Sequence, residues 1–374
     1  MTSKSGTSVD ETAVEAQAPA APASLLEVSD LRVWFDTPRG FVRAVDGVDL
    51  ELAAGRTLGI VGESGSGKSV LSRAIMHILP PSAQLRPGSR MRLDGMDLAT
   101  APSKKKHLWG VELAMVFQDP MTSLTPVMTI GEQISETLRY HLGLDRRQAK
   151  AETIRLLEQV GIPEPATRFR QYPHNLSGGM RQRVTIALAI ACKPRLLIAD
   201  EPTTALDVTV QQQILNLLRD LQAESNMGMI LITHDLGVVA GRADSIAVMY
   251  AGRIVEKAPA RQLFAQMRHP YTRALIDAIP RLAHPSHTHL PSIPGRPPMI
   301  IDPPPGCGFA ARCPAAQPRC LRETPVLAAA PGSPEHTAAC FYPLGTAAGD
   351  TARETNAAAG RSAAGVPVDS ERMN

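Results

Sequence analysis

No stretch of this 374-residue chain is apolar for the length needed to cross a bilayer. The amino-terminus also lacks the basic segment and apolar core that mark a secreted chain. These absences lead to the expectation of a cytoplasmic protein, leaving docking on a membrane protein open. A surplus of one charge is missing too: 39 Lys and Arg stand against 36 Asp and Glu, a formal net charge of +3. That balance gives no support to nucleic acid as a partner. There is no internal repeat and, in particular, no second phosphate loop. What is present is ample material for folding, with 44% apolar and 20% charged residues over a length sufficient for one large domain and a smaller one.

Composition divides the chain into four parts. Residues 1–24, rich in Ala, Ser, Thr, Pro and Glu, read as a disordered leader. Over 25–258, strand-like runs at 58–61, 113–117, 195–199, 229–233 and 245–249 alternate with helical stretches, the pattern of an α/β layer with a mostly parallel sheet. Within it, residues 129–184 contain almost no strand pattern and read as a helical insertion, with 148–160 an amphipathic helix ending at Gly161-Ile162-Pro163. From 259 to 345 a short helical region gives way to a proline-dense segment with four cysteines, and 346–374, rich in Ala, Gly and Ser, reads as a disordered tail.

The most specific motif is Gly62-Glu63-Ser64-Gly65-Ser66-Gly67-Lys68-Ser69, which follows the apolar run 57–61 and opens a helix continuing through Val70. Backbone N–H groups must turn inward around a phosphate, and glycines leave them room at a helix N-terminus. Lys68 is then expected on the β- and γ-phosphates of a nucleoside triphosphate and the Ser69 hydroxyl on Mg²⁺. A second run, Leu196-Leu197-Ile198-Ala199-Asp200-Glu201, has the pattern of a buried parallel strand opening onto a ligand site. Asp200 is the expected holder of Mg²⁺ through water, and Glu201 the expected general base.

Leu176-Ser177-Gly178-Gly179-Met180-Arg181-Gln182 resembles the signature of the ATP-binding cassette (ABC) ATPases. The remaining motifs follow in that family's order. Gln118 resembles the Q-loop glutamine, Thr204-Ala205-Leu206-Asp207 the D-loop, and Thr233-His234-Asp235 the switch histidine. The resemblance implies a phosphate-loop NTPase core: a mostly parallel sheet with an antiparallel β region, a helical insertion and a small irregular carboxy-terminal domain. It also implies that Ser177, Gly178 and Gly179, at a helix start, grip the γ-phosphate bound to an opposite subunit. Lys68, Gln118, Glu201 and His234 become the catalytic set, and Ser69, Gln118 and Asp200 the Mg²⁺ set. ATP contacts are expected along Gly62, Ser64, Gly65, Ser66, Gly67, Lys68, Ser69 and Val70. Phe35, with Trp34 as the alternative on the same strand, is expected to stack on adenine.

A narrower resemblance rests on Phe117-Gln118-Asp119-Pro120-Met121-Thr122-Ser123-Leu124-Thr125-Pro126, on Tyr172-Pro173-His174 and on His269-Pro270-Tyr271-Thr272. These are similar to the dipeptide, oligopeptide and nickel importer ATPases, closely to the dipeptide-type D subunit. The chain departs from that pattern at Asn175, a position commonly Glu. The resemblance implies an ATPase subunit that drives peptide uptake at the cytoplasmic face of the inner membrane. Its implied partners are a second cassette, paralogous or identical, two permease subunits and, indirectly, an extracytoplasmic binding protein. Export, or import of nickel or another small solute, is the alternative.

Cys307, Cys313, Cys320 and Cys340 lie in a segment with little apolar material and lack the C-x₂-C pairs of structural zinc. Disulfides are a weak explanation in a cytoplasmic chain. Four thiolates can hold zinc or an iron–sulfur cluster, or stay unligated. The subfamily resemblance implies a [4Fe–4S] cluster acting as a structural staple. Cys192, in an apolar helical stretch, reads as a small core residue.

Overall fold

The computed structural model describes residues 24–98, 108–204, 206–279, 293–298, 300–301, 303 and 305–368. The leader expected over 1–24 lies outside these residues but for Ser24, as does Ala205 of the D-loop-like segment.

The chain opens with two long antiparallel strands, β1 (Ser24–Thr37) and β2 (Gly40–Ala53), followed by β3 (Thr57–Val61), which leads into helix α1 (Lys68–Ile75). Short strands β4 (Ala83–Leu85), β5 (Arg90–Leu93) and β6 (Met96–Asp97) complete a five-stranded antiparallel sheet around β1. After β7 (Leu113–Val116) comes the helical insertion: α2 (Ile130–Leu142), α3 (Arg146–Gln159) and α4 (Gly178–Ile190). Both α2 and α3 start at capping boxes. Thr129 and Glu132 satisfy each other's backbone N–H at the first, as do Asp145 and Gln148 at the second. Helix α3 ends at Gln159, one residue short of the expected end at 160, and Gly161 just beyond it takes a left-handed φ of 76°.

Strand β8 (Leu196–Asp200), helix α5 (Val208–Ser225), β9 (Gly228–Thr233), β10 (Ser245–Tyr250) and β11 (Arg253–Pro259) finish the part that carries the expected nucleotide-binding motifs. The main sheet has eight strands. Strands β10, β3, β9, β8 and β7 run parallel, and β11, β13 (Ser333–Ala338) and β12 (Ala328–Ala330) extend it antiparallel. Its central strands are buried on both faces, and successive side chains enter different cores as the pleat requires. Leu58, Ile60, Ile198 and Ile230 face the antiparallel sheet and α1, whereas Val61, Leu197, Ala199 and Leu231 face the insertion and carboxy-terminal region. Each such side chain contributes about 1.5–3 kcal/mol by leaving water.

The carboxy-terminal region departs from expectation twice. Its proline-dense segment supplies the β12–β13 hairpin that joins the main sheet, where Ala338 pairs with Glu256 and Thr337 with Lys257. Residues 346–374, read as disordered, contain helix α7 (Ala347–Ala358), which follows α6 (Pro270–Asp277) in the helix count. Alanine is the best helix former, and the helix is anchored by Asn356, whose buried amide donates to the carbonyls of Pro314 and Ala316 at 2.7 and 3.1 Å.

Candidate active site

The parallel register builds the site. Val61 pairs with Thr233, Ile232 with Asp200, and Ala199 with Val116, so four strands end in one row. The next residues along these strands are the phosphate loop, Glu201, His234 and, after Phe117, Gln118. A ligand crevice at the carboxyl ends of parallel strands follows from this arrangement.

The phosphate loop wraps tightly. A Cβ on Gly62 would lie 2.1 Å from the Met249 carbonyl, and one on Gly67, whose φ is 105°, would lie 2.1 Å from that of Ala44. Lys68 is buried at the start of α1, its ammonium donating to the carbonyls of Gly62 at 2.7 Å and Glu63 at 3.0 Å. Burial lowers the Lys68 pKa, against the opposing pull of Glu201, Asp200 and Glu63. Ser69 donates to Asp200 Oδ1 at 3.3 Å, which brings two of the residues expected at Mg²⁺ into contact. Burial raises the Asp200 carboxyl pKa; the Ser69 hydrogen bond opposes the shift and the charge of Glu201 adds to it. Ser64 and Gly65 are exposed and Val70 half-buried.

Glu201 is the hub. It holds a left-handed φ of 47°, a conformation costing a non-glycine residue on the order of 1–2 kcal/mol. Its N–H donates to the Ile232 carbonyl at 2.9 Å, and its Oε2 accepts from Gln118 Nε2 at 3.1 Å and Thr204 Oγ1 at 3.0 Å. Its other oxygen lies 3.4 Å from His234 Nδ1. The structure thus brings Gln118, Glu201 and His234 together. The contribution of Thr204 was missed because its position in the D-loop-like segment says nothing of its hydroxyl.

Ser177 caps α4, accepting from Met180 N–H at 3.3 Å. Ser177 and Gly178 are exposed, and Gly179 is close against α5, where a Cβ would lie 2.8 Å from Val210. Asn175, the departure from the subfamily pattern, accepts from the Tyr172 N–H at 3.1 Å. Phe35 is half-buried and packed on the same core as α1, whereas Trp34 carries the guanidinium groups of Arg43 and Arg86 over its ring at 4.8 and 4.6 Å.

All five cysteines are free thiols, Cys192 among the core residues as read. Cys307, Cys313, Cys320 and Cys340 line one small cavity of about 20 Å³ together with His269 and Phe309. Burial raises the pKa of Cys307 and Cys313, and pushes Cys340 up to about 12. Among the described residues no three His, Cys, Asp or Glu side chains form a group able to hold a metal ion. Neither the expected [4Fe–4S] cluster nor the zinc alternative therefore has geometric support among these residues.

A phosphate loop, an acid pair at a neighbouring strand end, a histidine beside the second acid and a glycine signature at an exposed helix start define an ATP-hydrolysing cassette. The chain matches the ABC transporter family over residues 45–204, and the oligopeptide/dipeptide transporter carboxy-terminal region over 255–320. It is 48% identical over 338 residues to the oligopeptide transport ATP-binding protein OppD of Salmonella typhimurium, covering 90% of this chain and 98% of that one. It is likewise 48% identical over 302 residues to the dipeptide transport ATP-binding protein DppD of Bacillus subtilis, covering 80% and 90%. The chain belongs to the family of ATP-binding subunits of oligopeptide and dipeptide ABC transporters. Among solved structures it resembles cbiO1 from Clostridium perfringens, with TM-score 0.56 and 27% identity over 65% of this chain and 91% of that one. The ATP-binding cassette MJ0796 bound to ADP and Pi shares the fold, with TM-score 0.57 at 24% identity over 63% and 99%.

Proposed function

We propose that this ATPase imports peptides, working with a second cassette, paralogous or identical, on two permease subunits at the cytoplasmic face of the inner membrane. The observation that carries the chemistry is the grouping of Gln118, Glu201 and His234 at the ends of the three successive strands beside that of the phosphate loop. Glu201 accepts the proton of the attacking water, His234 orients that water, and Lys68 balances charge on the β- and γ-phosphates. Ser69 and Asp200 suit Mg²⁺, an oxygen-seeking ion, with Gln118 as a further oxygen donor; when bound it neutralises the developing phosphate charge. Ser66 Oγ, buried without a hydrogen-bond partner inside the loop, supports a phosphate there.

Exposure of Ser177 and Gly178 supports their use against nucleotide on a partner cassette. Among the described residues no helix is long and apolar enough to cross a membrane, so the transport path belongs to other subunits. Phe117, Met121, Val127 and Tyr140 leave apolar surface exposed between the Q-loop and the helical insertion, which supports docking of the permeases there. Phe35 is the side proposed for adenine.

The [4Fe–4S] reading of the cysteines rests on the resemblance to the importer subfamily and on the four thiols lining one cavity. Cys307, Cys313, Cys320 and Cys340 would hold it as a staple between the β12–β13 hairpin and the preceding loops.

The test is uptake of a labelled peptide into vesicles bearing the whole complex. ATP-dependent accumulation, abolished by Glu201→Gln, is expected. Hydrolysis without peptide movement, or movement in the opposite direction, would overturn the reading.

A further inference from the structure

Glu63, a variable position of the phosphate-loop pattern, is held on every side. Its carbonyl accepts from the Lys68 ammonium at 3.0 Å and from the Ser66 N–H at 3.2 Å. Its own N–H donates to the Tyr271 hydroxyl at 2.8 Å, and its carboxylate takes both ends of the Arg312 guanidinium, at 2.6 and 3.0 Å. Arg312 is only 3% exposed, and its remaining donors reach the Pro294 carbonyl at 2.8 Å, the Ile293 carbonyl and the Tyr250 hydroxyl, both at 3.3 Å. Tyr271 is fully buried, its ring against those of Tyr250 and Phe309 at 4.5 and 5.3 Å.

Burying the Arg312 guanidinium forfeits hydration, which its hydrogen bonds offset, and a two-pronged pair sets the angle as well as the distance of its partner carboxylate. The carboxylate it fixes belongs to the residue whose carbonyl positions the Lys68 ammonium. Neither Arg312 nor Tyr271 lies in the part that carries the nucleotide-binding motifs, and Arg312 directly precedes Cys313.

We propose that the carboxy-terminal region sets the ATP affinity of the phosphate loop through Arg312 and Tyr271, positioning residues that act on Glu63. The inference rests on ATP binding at that loop, and it makes the carboxy-terminal region part of the nucleotide site rather than an appendage. A change in the segment carrying Cys313 then reaches the phosphates by one side chain.

The test is a double-mutant cycle in the full chain, with ATP affinity measured by titration calorimetry in a Glu201→Gln background that suppresses turnover. Arg312→Gln and Glu63→Gln are each expected to weaken ATP binding about tenfold, the scale of one charge-assisted hydrogen bond. The double variant should lose no more than the worse single variant, because both remove the same link. Arg312→Lys should recover only part of the loss, since an ammonium cannot form the fork. Additive losses would place Arg312's effect elsewhere and overturn the proposal. Should Arg312→Gln fail to fold, Tyr271→Phe carries the test by removing one hydroxyl: weakened ATP binding supports the proposal and unchanged binding in a folded protein overturns it. Wild-type protein that binds ATP while the variants match it sinks this proposal alone; a complex that binds ATP but moves no peptide sinks the transport reading alone.

Discussion

The Gln118 side-chain amide donates to Glu201 Oε2 at 3.1 Å, so the Q-loop-like glutamine and the proposed general base share a hydrogen bond. The bond is specific in sign, because an amide can donate where a carboxylate cannot. Gln118→Glu would remove the donor and set a carboxylate against Glu201 in its place. The ATPase kcat should fall by about tenfold, the scale of one charge-assisted hydrogen bond; an unchanged kcat in a folded protein would show that the contact does not matter to hydrolysis.

Glu201→Gln should lower kcat by about 10²–10⁴-fold, the usual contribution of a positioned general base, while ATP binding survives. Stopped-flow hydrolysis alongside nucleotide binding separates the two effects.

Gly62→Ala should be destabilising by about 1–3 kcal/mol, because its methyl group would collide with the Met249 carbonyl, a backbone atom that cannot rotate away. Chemical unfolding followed by ATP titration checks both the loss of stability and the loss of the cradle.

His269 supplies a pH dependence. Burial lowers its pKa from 6.5 to about 4, against the pull of Glu256, and its Nδ1 accepts from the Tyr271 N–H at 3.1 Å. The folded state binds fewer protons there than the unfolded one, so this contribution is complete above pH 6.5 and is lost as the pH falls toward 4. The loss amounts to about 3 kcal/mol. His269→Asn, which keeps an acceptor for the helix start, should flatten the unfolding free energy across that window.

Cys313→Ser should abolish iron binding if the four thiols hold a cluster. Anaerobically purified wild type is expected to contain about four iron atoms per chain, and metal analysis of the pair decides the matter.

Much of the site was legible because its signals are local. A strand of branched residues ending in Asp200-Glu201, and a glycine loop entering α1, are each complete within about ten residues. Other parts depend on pairings that no local pattern records. Glu63 and Arg312 are 249 positions apart, and nothing in Glu63-Ser64 marks the carboxylate as the one to be clamped. The β12–β13 hairpin has small and polar residues in place of an alternating apolar strand, and its attachment to β11 spans two residue pairs. Helix α7 was hidden by composition: Gly and Ser suggested a tail, while the alanines and the buried Asn356 made a docked helix.

The pairing of β13 with β11 also has a consequence in time. In the finished fold β11 is paired with β10 on one side and with β13 on the other, and β13 begins only at Ser333, so during synthesis that second side has no partner until those residues are made. An uncovered strand edge is a template for pairing with another chain. At about 5–20 residues per second, the nascent cassette carries that edge for several seconds before its own carboxy-terminal segment arrives. A chain truncated before Ser333 would carry it permanently.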